Sequence, residues 1–473
     1  MKTKYNKNKR KIKRKTRSKK AGEPIASGGF GCIFKPALKC KNSKSRTSGV
    51  SKMSIEKYGK SELTEIKKIK DRLKLIKNYQ KYFLLDIDIC EPDKLTDDDL
   101  KNFDEKCYAL TRFNINSKNV NSKLKTLTIL NMPDGGIDLR DWLISDKHIT
   151  KEKIFLLNEM IIKLLKNGVR PMNDKGVIHN DLKDSNILVD KKLNARIIDW
   201  GLSAVVSNNK IPDEILNRPL QYNTPFSSMI ISNEFKLNYE IFLQRVKDGI
   251  ILFNRTNVRN YIINEYLIKL ARYYGYYDDN VQLFNTIFSP SISDETYLSE
   301  VKRNDLIEYG YYLYYLSNYI TDILMKYTDD NLVFHLDKYF LECYLYNSDV
   351  FGLMTTYYTF FQIKIEDFKL SDDMKKIFLN RVRSMIVESI YSNGDEKYDI
   401  NKIISNINEL NIFINHDKKF SFTKLIPSKS ITKKSPISVA EISNFSKSKS
   451  KSKTKKNKKN DEVNLSAVIT ELT

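Results

Sequence analysis

The stretch Gly176–Gly201, GVIHNDLKDSNILVDKKLNARIIDWG, sets three oxygen-bearing side chains at fixed spacings: Asp181, Asn186 and Asp199. Two short apolar runs, Ile187–Val189 and Ala195–Ile198, flank the turn-rich DKKLN at 190–194, which predicts a β-hairpin. Pairing symmetric about the turn sets Ile187 opposite Ile198, so that Asn186 and Asp199 leave the open end together. Two such ligands suit one Mg²⁺, a hard ion that takes one or two protein oxygens plus substrate phosphates. Asp181, five residues before Asn186, is then on a loop entering the same site, where it could take a proton from a hydroxyl.

The string HNDLKDSN followed by DWG resembles the catalytic loop and metal-binding motif of protein kinases, with His179, Asp181, Lys183, Asn186 and Asp199 matching residue by residue. Two positions depart from that pattern: Asn180 stands where an Arg is usual, and Trp200 where a Phe is usual. The resemblance implies an α+β fold of two lobes, a small β-rich N-lobe and a large mainly helical C-lobe.

Working toward the N-terminus, PIASGGFGCIF puts two apolar runs around a glycine cluster. Glycine lets backbone N–H groups approach a phosphate closely, so a strand-turn-strand here suits a cover over nucleotide phosphates. Within it, Ile25, Ala26, Ser27, Gly28, Gly29, Phe30, Gly31 and Ile33 are the candidate nucleotide contacts. Gly28, Gly31 and Ile33 fit the kinase glycine-loop pattern, and Ala26 replaces its first glycine. Val50–Met53 reads as a strand carrying Lys52, which in the kinase pattern reaches the α- and β-phosphates. Leu63, Ile66, Ile69, Leu73 and Ile76 form the apolar stripe of the following helix. Glu62 points inward with that stripe and is the preferred partner of Lys52, whereas Glu65 better fits the family's Leu-x-Glu-Ile text.

A strand is expected over Cys107–Arg112 and another over Leu127–Met132. The second leads through a lobe hinge, with Asn131–Pro133 facing an adenine, into a helix opening near Asp138. An amphipathic helix capped by Thr150 then precedes the 176–201 stretch. After it, RPLQYNTPFSS resembles the end of a kinase activation segment without its usual Ala-Pro-Glu, because Phe226 follows Pro225. Asn180 lacks the charge that commonly reads a phosphate in that segment, so activity independent of phosphorylation at 202–224 is expected. An Asp should anchor the catalytic loop from a buried helix. Asp349, in SDVFGL, fits best, and Asp305 is its rival. Helices near 372–392 and 400–414 complete the C-lobe.

The chain has 473 residues and a net charge of +23, of which residues 1–20 carry 12 and residues 418–473 carry 10, leaving +1 for residues 21–417. Basicity therefore belongs to the ends. Both lack the apolar content for a core, so a disordered basic arm at 1–20 and a disordered Lys/Ser-rich tail at 418–473 are expected. The N-lobe then spans 21–132 and the C-lobe 133–417, with a helical insertion at about 230–345. The basic ends suit nuclear targeting, or weak salt-dependent contact with nucleic acid or an acidic partner. Cys32, Cys40, Cys90, Cys107 and Cys343 form no CxxC pair, so neither a zinc site nor a disulfide framework is indicated, and a reducing compartment follows. No run of 18 apolar residues occurs, and the basic N-terminus lacks a following apolar region. A soluble, intracellular monomer is expected.

With the kinase resemblance come ATP and Mg²⁺ as cofactors and a protein Ser or Thr as acceptor, Lys183 being of the serine/threonine type. Asp181, Lys183 and Asn186 take the catalytic roles, and Asn186 and Asp199 hold the metal. Two other readings stay open. Ile198–Gly201, IDWG, is also the text of aminoglycoside- and choline-kinase-type small-molecule phosphotransferases, and a pseudokinase scaffold would keep the same fold. The Lys-, Asn-, Ile- and Tyr-heavy usage, the VSK strand and the RPLQYNTPFS ending resemble serine/threonine-protein kinases of giant DNA viruses over roughly 21–415. That resemblance implies a virion, or the viral factory in a host cytoplasm.

Overall fold

Antiparallel pairing begins at the glycine cluster, where β1 (Glu23–Ser27) and β2 (Gly31–Lys35) meet across a short turn. With β3 (Val50–Ile55), β4 (Asp88–Cys90) and β5 (Leu127–Met132) they form one sheet in the order β1-β2-β3-β5-β4. The computed structural model describes residues 22–267, apart from 46, 47, 147, 217 and 219; residues 283, 286 and 287; and residues 310–415, apart from 365–367. The two expected tails and Asp305 lie outside the described residues.

Strand alternation gives this sheet two different faces. Cys32, Phe34, Met53, Leu127 and Ile129 are buried on one, against Leu95, Phe103, Cys107, Leu110, Ile115 and Val120 from the long β4–β5 connection. Lys52, Ser54 and Thr128 take the other, beneath α1 (Glu56–Leu73). Gly59 permits that approach: a Cβ there would lie 2.3 Å from Thr128 Cγ2 and 2.8 Å from Ser54 Oγ. Helix α1 buries Ile66, Ile69 and Leu73, as its 3.6-residue spacing requires.

The β4–β5 connection corrects one expectation. Instead of a strand, Cys107–Arg112 contains a short helix, α3 (Tyr108–Thr111), preceded by α2 (Phe103–Lys106). Cys107, Ala109 and Leu110 are all fully buried, so burial here follows a helical turn and not strand alternation. The cysteines correct a second. Cys32 is joined to Cys107 and Cys40 to Cys90, across 75 and 50 residues, and Cys343 is the buried free thiol. The absence of a CxxC spacing carries no information about such long-range pairs, because the sheet itself brings β2 beside α3 and the segment after β2 beside β4. With two disulfides formed, the cysteine argument for a reducing compartment no longer holds.

Below the sheet come β6 (Ile137–Asp138), α4 (Leu139–Ile144), α5 (Lys151–Leu164) and α6 (Arg170–Asp174). Asp138 and Thr150 cap α4 and α5 by accepting from Asp141 N and Lys153 N. The strands β7 (Val177–Ile178), β8 (Ile187–Val189), β9 (Ala195–Ile197) and β10 (Ala204–Val205) follow. The described helices that follow are α7 (Asn233–Lys247), α8 (Arg255–Tyr261), α9 (Gly310–Tyr327), α10 (Leu336–Tyr339), α11 (Leu345–Met354), α12 (Thr359–Gln362), α13 (Asp372–Ile386) and α14 (Ile400–Asn415). Helix α11 is buried on nearly every side and runs directly beneath residue 182. A Cβ at Gly352 would lie 2.4 Å from the Leu182 carbonyl oxygen, so only glycine fits. Among the described residues no helix is long and apolar enough to cross a membrane.

Candidate active site

The hairpin is closed by Asp190, whose carboxylate accepts from Lys192 N at 2.7 Å and Asn194 N at 3.0 Å. Its register is symmetric about the five-residue turn: Ile187 faces Ile197, Leu188 faces Arg196 and Val189 faces Ala195, one residue short of the expected Ile187–Ile198 pair. A turn of five residues centred on Lys192 requires this register. Ile198 N donates to Asn186 O at 3.0 Å, and the chain then turns left-handed at Asp199, φ 62°, which ends the ladder. Asn186 and Asp199 still leave side by side, one from each strand.

Asp181 is buried and its carboxylate is crowded with donors. Oδ1 accepts from Asn223 Nδ2 at 3.0 Å, Arg218 Nη2 at 3.1 Å and Lys183 Nζ at 3.3 Å. Oδ2 accepts from Asn186 Nδ2 at 3.0 Å and pairs with Lys183 Nζ at 3.1 Å. Burial alone would push this carboxyl up, but the Lys183 charge, the hydrogen bonds from Asn223 and Lys183, and the Arg218 charge together hold it below its ordinary value. Asp181 is therefore ionised at neutral pH and fit to receive a proton.

The Asn186 amide donates twice, to Asp181 O at 2.7 Å and to Oδ2. Both bonds fix the amide nitrogen toward Asp181, leaving Oδ1 to face elsewhere as an acceptor. Among the described residues no hydrogen bond or ion pair engages the Asp199 carboxylate, and no cluster of three His, Cys, Asp or Glu residues suits a metal. A carboxylate and an amide oxygen alone fit an ion that completes its shell with phosphate and water, as Mg²⁺ does.

The loop carrying Asp181 hangs from α11. Asp349 is fully buried and accepts from His179 N at 2.9 Å, Asn180 N at 2.9 Å and Asn173 Nδ2 at 2.8 Å. The His179 ring donates from Nε2 to the Ile198 carbonyl at 2.8 Å, which leaves Nδ1 to accept from Asp181 N at 3.4 Å. Trp200 stands edge-on to both His179, at 5.0 Å, and Phe83, at 5.7 Å. Asn180 adopts φ 61°, a left-handed conformation that asparagine tolerates, and donates to Leu202 O at 3.4 Å.

On the sheet, Lys52 Nζ lies 2.7 Å from Glu62 Oε1, both side chains being largely buried, while Glu65 pairs at the surface with Lys68 at 2.8 Å. The glycine turn is closed by Gly28 N donating to Gly31 O at 2.9 Å. Ala26 faces Ile33 across a bulge at Ile25, and Ile33 faces Lys52. A Cβ at Gly31 would press on Met53 O at 2.8 Å, whereas Cβ atoms at Gly28 and Gly29 would meet nothing within 4 Å. Among the described residues no neighbour requires glycine at those two positions, and the open space leaves their backbone free to approach a ligand.

Sequence reasoning missed Arg218 and Asn223. Both lie in RPLQYNTPFSS, the stretch that resembles the end of an activation segment, but nothing in that text marks them as partners of Asp181, and only the fold brings them to it.

A family model described as protein kinase domain matches residues 112–225, about a quarter of the chain. The match contains Asp181, Lys183, Asn186, Asp199, Arg218 and Asn223, and stops short of the glycine turn, Lys52 and Glu62. The chain is similar to CBL-interacting protein kinase 17 of Oryza sativa subsp. japonica, 30% identical over 187 residues, which are 39% of this chain and 36% of that one. Serine/threonine-protein kinase PSK1 of Saccharomyces cerevisiae is 31% identical over 91 residues, 19% of this chain and 6% of that one. A CBL-interacting serine/threonine-protein kinase 17 of Arabidopsis thaliana is 36% identical over 84 residues, 18% of each chain. The chain thus spans about a third or less of the length of these relatives.

Proposed function

We propose that this chain, with its α+β kinase fold of β-sheet lobe and helical lobe, is a serine/threonine-protein kinase transferring the γ-phosphoryl group of ATP to a protein hydroxyl. The observation that carries the reading is the Asp181 carboxylate, held ionised among Lys183, Arg218, Asn223 and Asn186. Asp181 orients the acceptor hydroxyl and takes its proton as the new O–P bond forms and the bond from the γ-phosphorus to ADP breaks. Lys183 offsets negative charge on the transferring group. Lys52, steadied by Glu62, contacts the α- and β-phosphates, and the backbone of Gly28–Gly31 covers them. Asn186 Oδ1 and Asp199 would hold Mg²⁺, which supplies neutralisation of phosphate charge.

On this reading the N-lobe spans 21–132 and the C-lobe 133–417, with an insertion near 230–345, a basic arm at 1–20 and a tail at 418–473. The enzyme acts as a monomer, and its basic ends make weak contacts with nucleic acid or an acidic partner. Arg218 supplies, from within the segment, a cation beside Asp181 that Asn180 does not, which supports activity without a phosphate at 202–224. The giant-virus setting rests on residue usage and the RPLQYNTPFS ending, whereas the relatives above come from plants and yeast.

The test is an acceptor panel: ATP and Mg²⁺ with a basic protein, choline and an aminoglycoside. Label on protein Ser or Thr supports the proposal. Label on a small molecule alone would move it to the IDWG-type phosphotransferases, and ATP binding without transfer to any acceptor would make it a scaffold.

A further inference from the structure

The antiparallel partners β4 and β5 could be joined by a few residues, yet residues 91–126 run between them. This connection is a folded cap. Its apolar side chains bury against Cys32, Phe34, Met53 and Ile129, on the face of the sheet opposite Lys52.

The cap reaches the glycine turn at successive points. Ala109 N donates to Ser27 Oγ at 3.1 Å, and Tyr108 Oη donates to the Ser27 carbonyl at 3.0 Å. Arg112 Nη2 donates to the Gly29 carbonyl at 3.0 Å, its guanidinium lying 5.8 Å from the Tyr108 ring centre. Phe30, at the tip, stacks on Tyr58 of α1 at 4.7 Å, and Tyr58 in turn meets Phe113 of the cap at 5.8 Å. One residue past the turn, Cys32 is bonded to Cys107.

We propose that the 91–126 cap is a positioning element for the nucleotide, with Arg112 and Tyr108 as the residues that pre-set the glycine turn. This deepens the kinase reading and rests on it. In a trans peptide the C=O and the following N–H point opposite ways. Arg112, by drawing the Gly29 carbonyl toward the cap, turns the Phe30 N–H toward the Lys52 side, where phosphates would lie. Gly28 and Gly29 would otherwise give this turn the widest backbone freedom in the sheet. Ordering it beforehand removes that cost from nucleotide binding.

Arg112 is exposed and Tyr108 half so; neither substitution empties the core. The experiment compares KM for ATP and kcat in the wild type, Arg112→Ala, Arg112→Lys and Tyr108→Phe, with binding of a fluorescent ATP analogue in parallel. Arg112→Ala is expected to raise KM and the analogue's Kd by about three- to tenfold, the worth of one hydrogen bond, with kcat changed by less than about twofold. Tyr108→Phe shifts them in the same direction, and Arg112→Lys recovers part of the loss. Unchanged KM and Kd in Arg112→Ala and Tyr108→Phe, or a fall in kcat alone matching a loss of folded protein, overturns the proposal. A wild type that binds no Mg-nucleotide overturns the kinase reading instead, and the cap proposal with it.

Discussion

Replacing Asp349 with alanine removes the acceptor from which the loop carrying Asp181 hangs. The carboxylate is 1% exposed and takes the backbone N–H groups of His179 and Asn180 and the amide of Asn173. Asn173 keeps a second acceptor, Val177 O, at 3.0 Å. The two backbone donors have no other acceptor among the described residues. A buried donor left without a partner costs about 1–3 kcal/mol, so two cost roughly 2–6 kcal/mol. The wild-type carboxylate carries its own desolvation cost, since burial pushes its carboxyl up, and losing that charge returns part of the sum. A net destabilisation of about 2–4 kcal/mol follows. Urea unfolding followed by tryptophan fluorescence measures it: of the chain's two tryptophans, Trp200 lies against His179 and reports on this loop. Asp349→Asn, which keeps one acceptor oxygen but turns an N–H₂ toward a donor, should fall between. A loss under about 1 kcal/mol for Asp349→Ala would refute the anchoring argument.

Three further outcomes are expected. Glu62→Gln should lower kcat/KM by roughly ten- to a hundredfold through a misplaced Lys52, and Glu65→Gln by less than about twofold; equal effects would contradict the pairing. Asp181, with a folded-state carboxyl below its ordinary value, contributes stability present above the unfolded value and lost as pH falls through the folded one. The acid limb of kcat against pH should accordingly lie below the usual carboxylate range and move upward in Arg218→Ala and Asn223→Ala, and a limb that stays in place would remove their electrostatic role. Reduction with dithiothreitol should lower the unfolding free energy by roughly 3–4 kcal/mol for each of the two disulfides; an unaltered denaturation midpoint, with free thiols counted before and after, would speak against them.

What the sequence made legible was local. The Asp181, Asn186 and Asp199 spacing, the Asp138 and Thr150 caps, and the inward side of α1 that selects Glu62 over Glu65 all follow from contacts within a few residues along the chain. Ile187 meets Ile197 and not Ile198 because the turn 190–194 is five residues long and centred on Lys192, which the sequence itself contains, whereas the left-handed turn at Asp199 that ends the ladder is not announced by composition in a non-glycine residue. Helix α3 escaped because a four-residue helix is too short to show a period. Its burial is set by the sheet it covers. The disulfides join residues 75 and 50 apart, and Arg218 and Asn223 reach Asp181 from 37 and 42 residues away. Such contacts exist only once the fold has formed, and no spacing rule anticipates them.

The most direct measurement is transfer of labelled γ-phosphate from ATP to a basic protein and to the chain itself, with and without Mg²⁺, for wild type, Asp181→Asn and Asp199→Ala. Mg²⁺-dependent label on serine or threonine, reduced by a hundredfold or more in both variants, is the predicted result. Wild-type transfer that either variant keeps would contradict the assignment of Asp181 and Asp199, and a wild type that transfers nothing while binding ATP would contradict the proposed activity itself.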